Sequence, residues 1–310
     1  MSFSDETKRE LARIKPEKSC CMLSEISALT QSCASLRFQG RGRISIVYKT
    51  ENMALAKRLF LLLKLRLNLI PVIEYASVGR FGGRRICTLT LKDQDAKQLM
   101  LSLRMLKTTE AGLPILRGIP RSAYTKRCCR GAYLRGAFLG SGMLLNPEKG
   151  YLLRFSSSDP ALIRGIHGML EKSGILSSVK LSDEGAELRV TQGDGISAFL
   201  TLTGAHTSMM KMEDIRIRRE SKNRANRAAN CDQGNLKKQL QTAQKQAAAL
   251  LTLLDRKDVP DEILETARLR LDHMDATVEE LRMFFDPPLS KSGAYHRLQK
   301  AVRYANEQSM

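Results

Sequence analysis

Tryptophan is absent from this 310-residue chain, and aromatic residues reach only 5%. A site built on ring stacking, for a carbohydrate or a planar cofactor, is therefore disfavoured. Long apolar runs are missing too. The nearest candidate, Leu59 to Ile70, is interrupted by Lys64, Arg66 and Asn68, well short of the ~20 residues that a membrane helix needs. The first residues, MSFSDETKRELARIK, contain no apolar stretch of the kind a secretory leader carries. Histidine is scarce at four residues, and the seven cysteines are an odd number without a paired spacing, which favours a reducing compartment over a disulfide framework. Acids are the last shortage. Asp and Glu number 32 against 51 Lys and Arg, a net charge of +19. Hydrophobic residues at 43% still suffice for packed cores, and the length suits about two domains.

The excess charge is localised. Residues 1–130 hold 25 basic against 10 acidic residues, residues 131–210 balance at seven of each, and residues 211–310 hold 19 against 15. A further cluster, Lys211 to Arg227, has seven basic and three acidic residues. Such concentrated fields favour a polyanion, nucleic acid before an anionic membrane.

An internal repeat organises the first two thirds. Lys18-Ser19-Cys20-Cys21 recurs as Lys126-Arg127-Cys128-Cys129, an offset of 108. The offset carries a helical pattern from Met22–Leu36 onto Arg130–Leu144, and a strand from Arg43–Lys49 onto Tyr151–Ser157. It then brings Thr50-Glu51 onto Ser158-Asp159, where Thr50 and Ser158 are expected to cap helices. Register fades beyond residue 70, although Ile86–Leu89 and Leu188–Val190 read as strands. Each half is expected to run helix, strand, helix, two strands, helix, and the pair to form a pseudo-two-fold domain sharing a sheet surface. The expected units are 1–125, the first repeat with an N-terminal extension; 126–210, the second repeat; 211–234, a basic linker or extended arm; and 235–310, a helical domain.

In that last segment, Leu236, Leu240, Ala243, Ala247, Leu250, Leu251 and Leu254 form one helical stripe. Asp261–Asp272 follows, with Ile263, Leu264, Ala267 and Leu271 inward. Thr277-Val278-Glu279-Glu280 is a capping box that opens a third helix, with Val278, Leu281 and Phe285 inward. Pro287-Pro288 stops it, and Ser290 caps a helix from Lys291 to about Asn306. Two helices joined by a turn suggest a helix-turn-helix at about 275–307. The face opposite the core of the last helix holds Ser292, His296, Gln299, Lys300 and Arg303, with Tyr295 at its margin. Short donors near its N-terminus and cations further along suit contact with bases and then phosphates. Ser290, Lys291 and Arg297 complete this candidate DNA-binding set, and Arg218, Arg219, Arg224 and Arg227 join it from the basic linker.

Other clusters read as structural. The two Cys-Cys pairs lack the usual two-to-four-residue ligand spacing and a His pair, so buried thiols rather than a zinc site are expected. Cys231 is expected in the polar linker. The Gly/Arg loop (Gly79, Arg80, Gly82, Gly83, Arg84, Arg85) matches no phosphate-binding fingerprint, and is either a mobile turn or a phosphate-touching hairpin tip. No cofactor or small-molecule substrate is indicated.

The stretches KRCCRGAYLRGAFLGSGMLLNPEKGYLLRF (126–155), NRANRAANCDQGNLKK (223–238) and FFDPPLSKSGAYHRLQK (284–300) resemble the WhiA family of bacterial regulators of sporulation and cell division. The resemblance implies an α+β fold, a pseudo-two-fold LAGLIDADG homing-endonuclease-like domain followed by an all-α helix-turn-helix domain. It also implies binding to promoter regions of double-stranded DNA, effects on division and chromosome segregation, and a cytoplasmic, nucleoid-associated location. In active relatives of such endonucleases each signature helix ends in an acid that helps hold a divalent metal ion. Cys33 and Ser141 stand at those positions here, so a non-enzymatic regulator without catalytic or metal-binding residues is expected. A second regulator or division protein is a further expected partner. The alternative is a division or nucleoid scaffold for which DNA binding is secondary. Because the repeat is its own pseudo-dimer, a monomer is expected.

Overall fold

The computed structural model describes residues 2–16, 18–38, 43–78, 84–106, 118–256 and 258–307. Gly79, Arg80, Gly82 and Gly83 of the Gly/Arg loop lie outside them. The chain forms two compact units, Met1–Arg218 and Arg219–Met310.

The first unit opens with α1 (Phe3–Ala12), capped by Ser2, whose hydroxyl accepts from Asp5 N at 3.1 Å. Two copies of one motif follow. The first runs α2 (Ser19–Cys33), β1 (Ala34–Phe38), β2 (Ile44–Thr50), α3 (Met53–Leu67), β3 (Val72–Val78), β4 (Arg84–Lys92) and α4 (Asp93–Ser102). The second runs α5 (Arg127–Ser141), β5 (Gly142–Leu144), β6 (Leu153–Ser157), α6 (Pro160–Glu171), β7 (Ser178–Ser182), β8 (Gly185–Val190) and α7 (Gly193–Thr203). The 108-residue offset maps α2 onto α5 end to end.

Each copy has one strand more than its sequence suggests. β1 and β5 begin at the residue after the signature helix. Ala34 and Gly142 are themselves extended caps, with ψ of 147° and 150°. No turn residue separates helix from strand, so the helical pattern of the sequence runs on to Leu36 and Leu144. The sheets are also separate rather than shared, each antiparallel with equivalent orders β1-β2-β4-β3 and β5-β6-β8-β7. The second helices start slightly later than expected. Asn52 caps α3, its side chain accepting from Ala54 N at 3.0 Å, and Asp159 caps α6, accepting from Ala161 N at 2.9 Å. Thr50 and Ser157 each instead accept from the backbone N–H of the capping residue.

The core lies between sheets and helices. Ile46, Tyr48, Leu89 and Leu91 face it from one sheet, and Leu153, Phe155, Leu188 and Val190 from the other. Phe138, Phe155 and Phe199 meet edge to face, with centroids 5.7–6.4 Å apart. At the centre α2 packs on α5. A β-carbon at Gly136 would stand 2.9 Å from Ala28 Cβ and 2.6 Å from Glu25 O, and one at Gly140 would overlap Ser32 Oγ. Ala28 and Gly136 are equivalent positions of the repeat, as are Ser32 and Gly140, so the two helices face each other through matching residues.

From His206 the chain enters α8 (His206–Leu251). Residues 211–234 are therefore helical, not an extended linker. No proline occurs from 206 to 251, and Ala, Arg, Lys and Gln are the commonest residues, all good helix formers. The N-terminus of α8 is capped by Glu10 of α1, whose carboxylate accepts from Thr207 N at 2.7 Å and Ser208 N at 2.9 Å.

The second unit continues with α9 (Asp261–Asp272), α10 (Val278–Leu281), a 3-10 turn at Arg282–Phe284 and α11 (Lys291–Glu307). Its core is Leu250, Leu253, Ile263, Ala267, Leu281, Phe285, Ala294, Leu298, Ala301 and Ala305. The buried edge of α8 is Ala243, Gln246, Ala247 and Leu250. Leu236, Leu240, Leu251 and Leu254, expected inward, are exposed. On α9 the buried positions are Ile263, Thr266, Ala267 and Arg270, with Leu264 and Leu271 half-buried.

Candidate nucleic-acid interface

The helix-turn-helix is built by local hydrogen bonds. Thr277 and Glu280 close a reciprocal capping box at the start of α10. Ser290 Oγ accepts from Gly293 N at 3.0 Å and starts α11. Arg270, buried in α9, donates to the carbonyls of Ala276 at 2.6 Å and His273 at 3.3 Å, fixing the turn between α9 and α10. Burial pushes its guanidinium pKa down. Arg282 ties the second turn, donating to Glu279 Oε1 at 2.8 Å and to the carbonyl of Leu289 at 3.4 Å. The carboxyl of Glu279, hydrogen-bonded by Arg282 and then by Lys291, is held below its ordinary range.

α11 then presents two contrasting faces. Ala294, Leu298, Ala301 and Ala305 are buried, whereas Ser292, Tyr295, His296, Gln299, Lys300 and Arg303 are exposed. Ser292, His296, Gln299 and Arg303 follow helical spacing along about 16 Å of axis. Tyr295 and His296 meet edge to face, with centroids 5.9 Å apart. Ser290 and Lys291 are exposed at the helix start, with Lys291 3.3 Å from Glu279.

Arg297 is placed differently. It is half-buried, lies over the Phe285 ring, and pairs with Glu262 at 3.2 Å and Glu265 at 3.5 Å, both on α9. It locks α11 to α9. Lys300 reaches Glu262 at 3.2 Å from an exposed position, a pair weak enough to exchange for another anion. The motif thus depends on Arg270, Arg282, Glu262 and Glu279, none of which stands out in sequence from an ordinary surface charge.

The basic residues of α8 surround the helix rather than form one stripe. Arg218, Arg224 and Arg227 are exposed and Arg219 is half-buried. Arg218 belongs to the first unit and the other three to the second. Cys231 is exposed on the same helix.

In the first unit, the sheet faces turned away from the core carry, among the described side chains, three strand cations to one acid each. They are Arg37, Lys49 and Lys92 with Glu74, and Arg154, Lys180 and Arg189 with Glu187. Glu187 pairs with both Arg154 and Arg189. Arg85, at one end of β4, is exposed.

Cys33 and Ser141 are the last residues of α2 and α5. Each turns back on its own helix, Cys33 Sγ donating to Leu29 O at 3.0 Å and Ser141 Oγ to Ala137 O at 3.3 Å. Burial raises the Cys33 thiol from 9.0 to about 11. α1 reaches this end of the signature helices. Lys8 Nζ lies 5.5 Å from the Phe138 ring centre and interacts electrostatically with Cys33, while Ser4 Oγ accepts from Leu144 N at 3.2 Å. Burial lowers the Lys8 pKa.

Between the signature helices sits a buried ion trio. Glu25 accepts from Arg58 Nε and Nη2, both at 2.8 Å, and from Arg135 Nε at 3.0 Å. Arg58 also donates to Ile14 O, and Arg135 to Thr203 O at 2.9 Å.

The cysteine pairs are not the inert buried thiols expected. Among the described residues, Cys20, Cys21, Cys128 and Cys129 bring all four sulfurs within 4.8 Å of one another, with Cys128 exposed and Cys129 buried. Two other histidines, His167 and His273, are held locally. His167 contacts Ser177 Oγ at 2.7 Å and Glu171 at 3.4 Å, and His273 stacks on Phe284 at 3.8 Å.

A duplicated LAGLIDADG-like domain followed by a helix-turn-helix domain defines a class of protein. The models described as "WhiA N-terminal LAGLIDADG-like domain", "WhiA LAGLIDADG-like domain" and "WhiA C-terminal HTH domain" match residues 19–106, 130–222 and 225–305. A "Probable cell division protein WhiA" of Alkaliphilus metalliredigens is 32% identical, covering 99% of this chain and 98% of its own. One of the same name from Bacillus cytotoxicus is 32% identical over 99% of this chain and 97% of its own. The crystal structure of full-length DUF199/WhiA from Thermatoga maritima shares the fold, with a TM-score of 0.61, 19% identity and 99% of both chains covered. The chain belongs to the WhiA family. No helix among the described residues is long and apolar enough to cross a membrane.

Proposed function

We propose that this protein is a sequence-specific, double-stranded DNA-binding transcriptional regulator acting in cell division, with sporulation and chromosome segregation as the processes its promoters serve. α11 is the recognition helix. The observation that carries this reading is its two-faced character, four small or apolar residues buried behind an exposed row of hydrogen-bond donors and cations. A major groove accepts one helix, and about 16 Å of reading edge spans about five base pairs. Ser292, Tyr295, His296 and Gln299 contact bases, while Ser290, Lys291, Lys300 and Arg303 contact phosphates. Arg297 positions the helix through α9. Arg218, Arg219, Arg224 and Arg227 add phosphate contacts from α8. A second regulator or a division protein is the proposed protein partner, and the cytoplasm with the nucleoid the proposed location.

The LAGLIDADG-like domain is proposed to be catalytically inactive. The two helix ends supply a thiol and a hydroxyl that bond to their own helices, and Lys8 places a cation beside Cys33. Divalent metal needs hard carboxylate oxygens there, not a neighbouring ammonium. The test is selection of the full-length chain on a randomised duplex library with Mg²⁺ at near-physiological salt, sequencing retained fragments and their ends. An enriched motif with intact ends supports the reading. Retention without enrichment would sink sequence-specific regulation, and fresh ends at a shared sequence would sink inactivity.

A further inference from the structure

The four-cysteine cluster has no part in DNA binding as proposed above, and its geometry is that of a metal site. Cys20 and Cys21 lie in the first turn of α2, and Cys128 and Cys129 occupy the equivalent places in the first turn of α5. The helices pack with matching residues opposed at Ala28/Gly136 and Ser32/Gly140. Extending that relation to the helix starts brings pair against pair. A tetrahedron has twofold axes through its opposite edges, so two vicinal pairs facing each other supply its four corners. Adjacent cysteines are poor as a stand-alone chelate, yet two such pairs from related helices suffice.

We propose that Cys20, Cys21, Cys128 and Cys129 bind a single tetrahedral Zn²⁺ that joins the two repeats at the N-terminal ends of their signature helices. Zinc–sulfur bonds of about 2.3 Å imply a sulfur–sulfur edge of about 3.8 Å in a tetrahedron. Cys20 and Cys21 already stand 4.0 Å apart, and no pair in the cluster exceeds 4.8 Å. Closing on an ion needs shifts of about 1 Å or less, within reach of side-chain rotation. The sulfurs are too close together to surround a four-iron cubane, and a complete thiolate set selects a borderline-soft ion over Mg²⁺ or Ca²⁺.

The surroundings suit the charge that forms. Four thiols binding Zn²⁺ release four protons and leave a dianionic complex. The N-terminal ends of α2 and α5, neither closed by a side-chain cap, both meet it with their positive dipole ends. Lys18 acts electrostatically on Cys128. Cys128 also lines a cavity with Arg127, Arg130 and Lys172, and the buried Nε of Arg130 has no hydrogen-bond partner. On the other side, Cys20 and Cys129 line a cavity of about 520 Å³ with Arg66 and Lys126, giving an ion a path to the sulfurs.

The test uses the full-length chain purified under reducing conditions without an immobilised-metal step, then analysed for metals by mass spectrometry. One zinc per chain is expected, dropping below one tenth in Cys20→Ser/Cys128→Ser and unchanged in Cys87→Ser and Cys231→Ser. Cobalt substituted for zinc is expected to show the intense visible bands and sulfur charge-transfer absorption of a tetrahedral thiolate site. Should the double variant fail to fold, the wild-type chain decides. Removing its metal with a strong chelator is expected to lower Tm, and Zn²⁺ to restore it. A wild-type chain that, after incubation with Zn²⁺ and gel filtration, holds no metal and shows all seven thiols free overturns the proposal. So does a disulfide linking any two of the four cysteines in the reduced preparation, or iron or copper at that stoichiometry.

Discussion

Glu25→Gln tests the interior of the repeat domain most directly. Glu25 is 1% exposed and Arg58 2% exposed, so both charges are out of water. The trio carries one negative and two positive charges and is held by three charge-assisted hydrogen bonds at 2.8–3.0 Å. A glutamine keeps the volume but removes the anion. One of its two terminal atoms becomes an N–H group facing a guanidinium N–H. The one remaining oxygen can serve only part of the three N–H groups that the carboxylate held, so Arg58 and Arg135 together lose at least one charge-assisted hydrogen bond and face a neutral amide, with the carbonyls of Ile14 and Thr203 as their other partners. Stranding a buried charge in this way costs about 3–5 kcal/mol. With a slope of about 2–3 kcal/mol per molar urea, the unfolding midpoint is expected to fall by about 1–2 M.

Tyrosine emission is a suitable probe, because tryptophan is absent and Tyr48, Tyr75, Tyr124, Tyr133 and Tyr151 lie in the first unit. Two further variants separate the charge argument from simple packing. Arg135→Met leaves the neutral Glu25–Arg58 pair intact, and is expected to cost about 1–3 kcal/mol through the orphaned Thr203 carbonyl. Glu25→Leu/Arg58→Met/Arg135→Met removes every charge, and is expected to recover most of the loss. A loss below about 1 kcal/mol in Glu25→Gln, or a triple variant no more stable than it, would refute the reasoning.

Four other outcomes are expected. Tyr295→Ala or His296→Ala weakens binding to the selected site by about 1–3 kcal/mol while sparing random duplex, measured by competition titration; equal losses on both would place these side chains at phosphates. Gly136→Val destabilises the first unit by at least about 2 kcal/mol in urea, since its side chain meets Glu25 O and Ala28 Cβ; a neutral result would mean that α2 and α5 pack more loosely than described. Cys33 binds its proton more tightly when folded, with a pKa of about 11 against 9.0, so its contribution holds below pH 9 and is lost as pH rises towards 11. The Tm difference between wild type and Cys33→Ala is expected to change across that window, and a flat difference would contradict it. Cys33→Asp/Ser141→Asp does not nick plasmid with Mg²⁺ while Lys8 remains; efficient nicking would show that the two carboxylates alone restore the chemistry.

How much of this was legible in sequence depended on whether the determining contact was local. The repeat was visible because α2 and α5 kept one register and length. The helix-turn-helix was visible because its caps, Thr277, Glu280 and Ser290, act within three residues of themselves. α8 was not, because the stretch from Arg218 to Thr242 has no buried apolar stripe and reads as a polar linker, although its composition favours a helix. β1 and β5 were hidden because extended backbone follows the helix without a turn. The cysteine cluster and the Glu25 trio are tertiary. Glu25 faces arginines 33 and 110 positions away, and its repeat equivalent is Tyr133, so the offset that exposed the repeat concealed this pair.

That divergence between equivalent positions has a physical logic. Where the two signature helices touch, the copies must stay alike and small, as at Ala28/Gly136 and Ser32/Gly140, because a side chain on either would push both apart. Away from the contact, each copy is free to serve the other. Glu25 receives Arg135 from the second repeat, while Tyr133 donates to Gln31 of the first at 2.6 Å. Both links cross between copies, and neither has a symmetric counterpart, since Ser27 stands where Arg135 would repeat and Ile166 where Arg58 would. An asymmetric lock of this kind fixes one relative placement of the repeats and excludes sliding by a helical turn, because a shifted partner would leave a buried charge unpaired. For a domain built on two separate sheets, that rigidity holds their outward faces at one separation, whether or not the helix ends carry acids. The same reasoning explains why the helix ends at Cys33 and Ser141 tolerate a thiol and a hydroxyl, since the polar atom of each bonds back to its own helix.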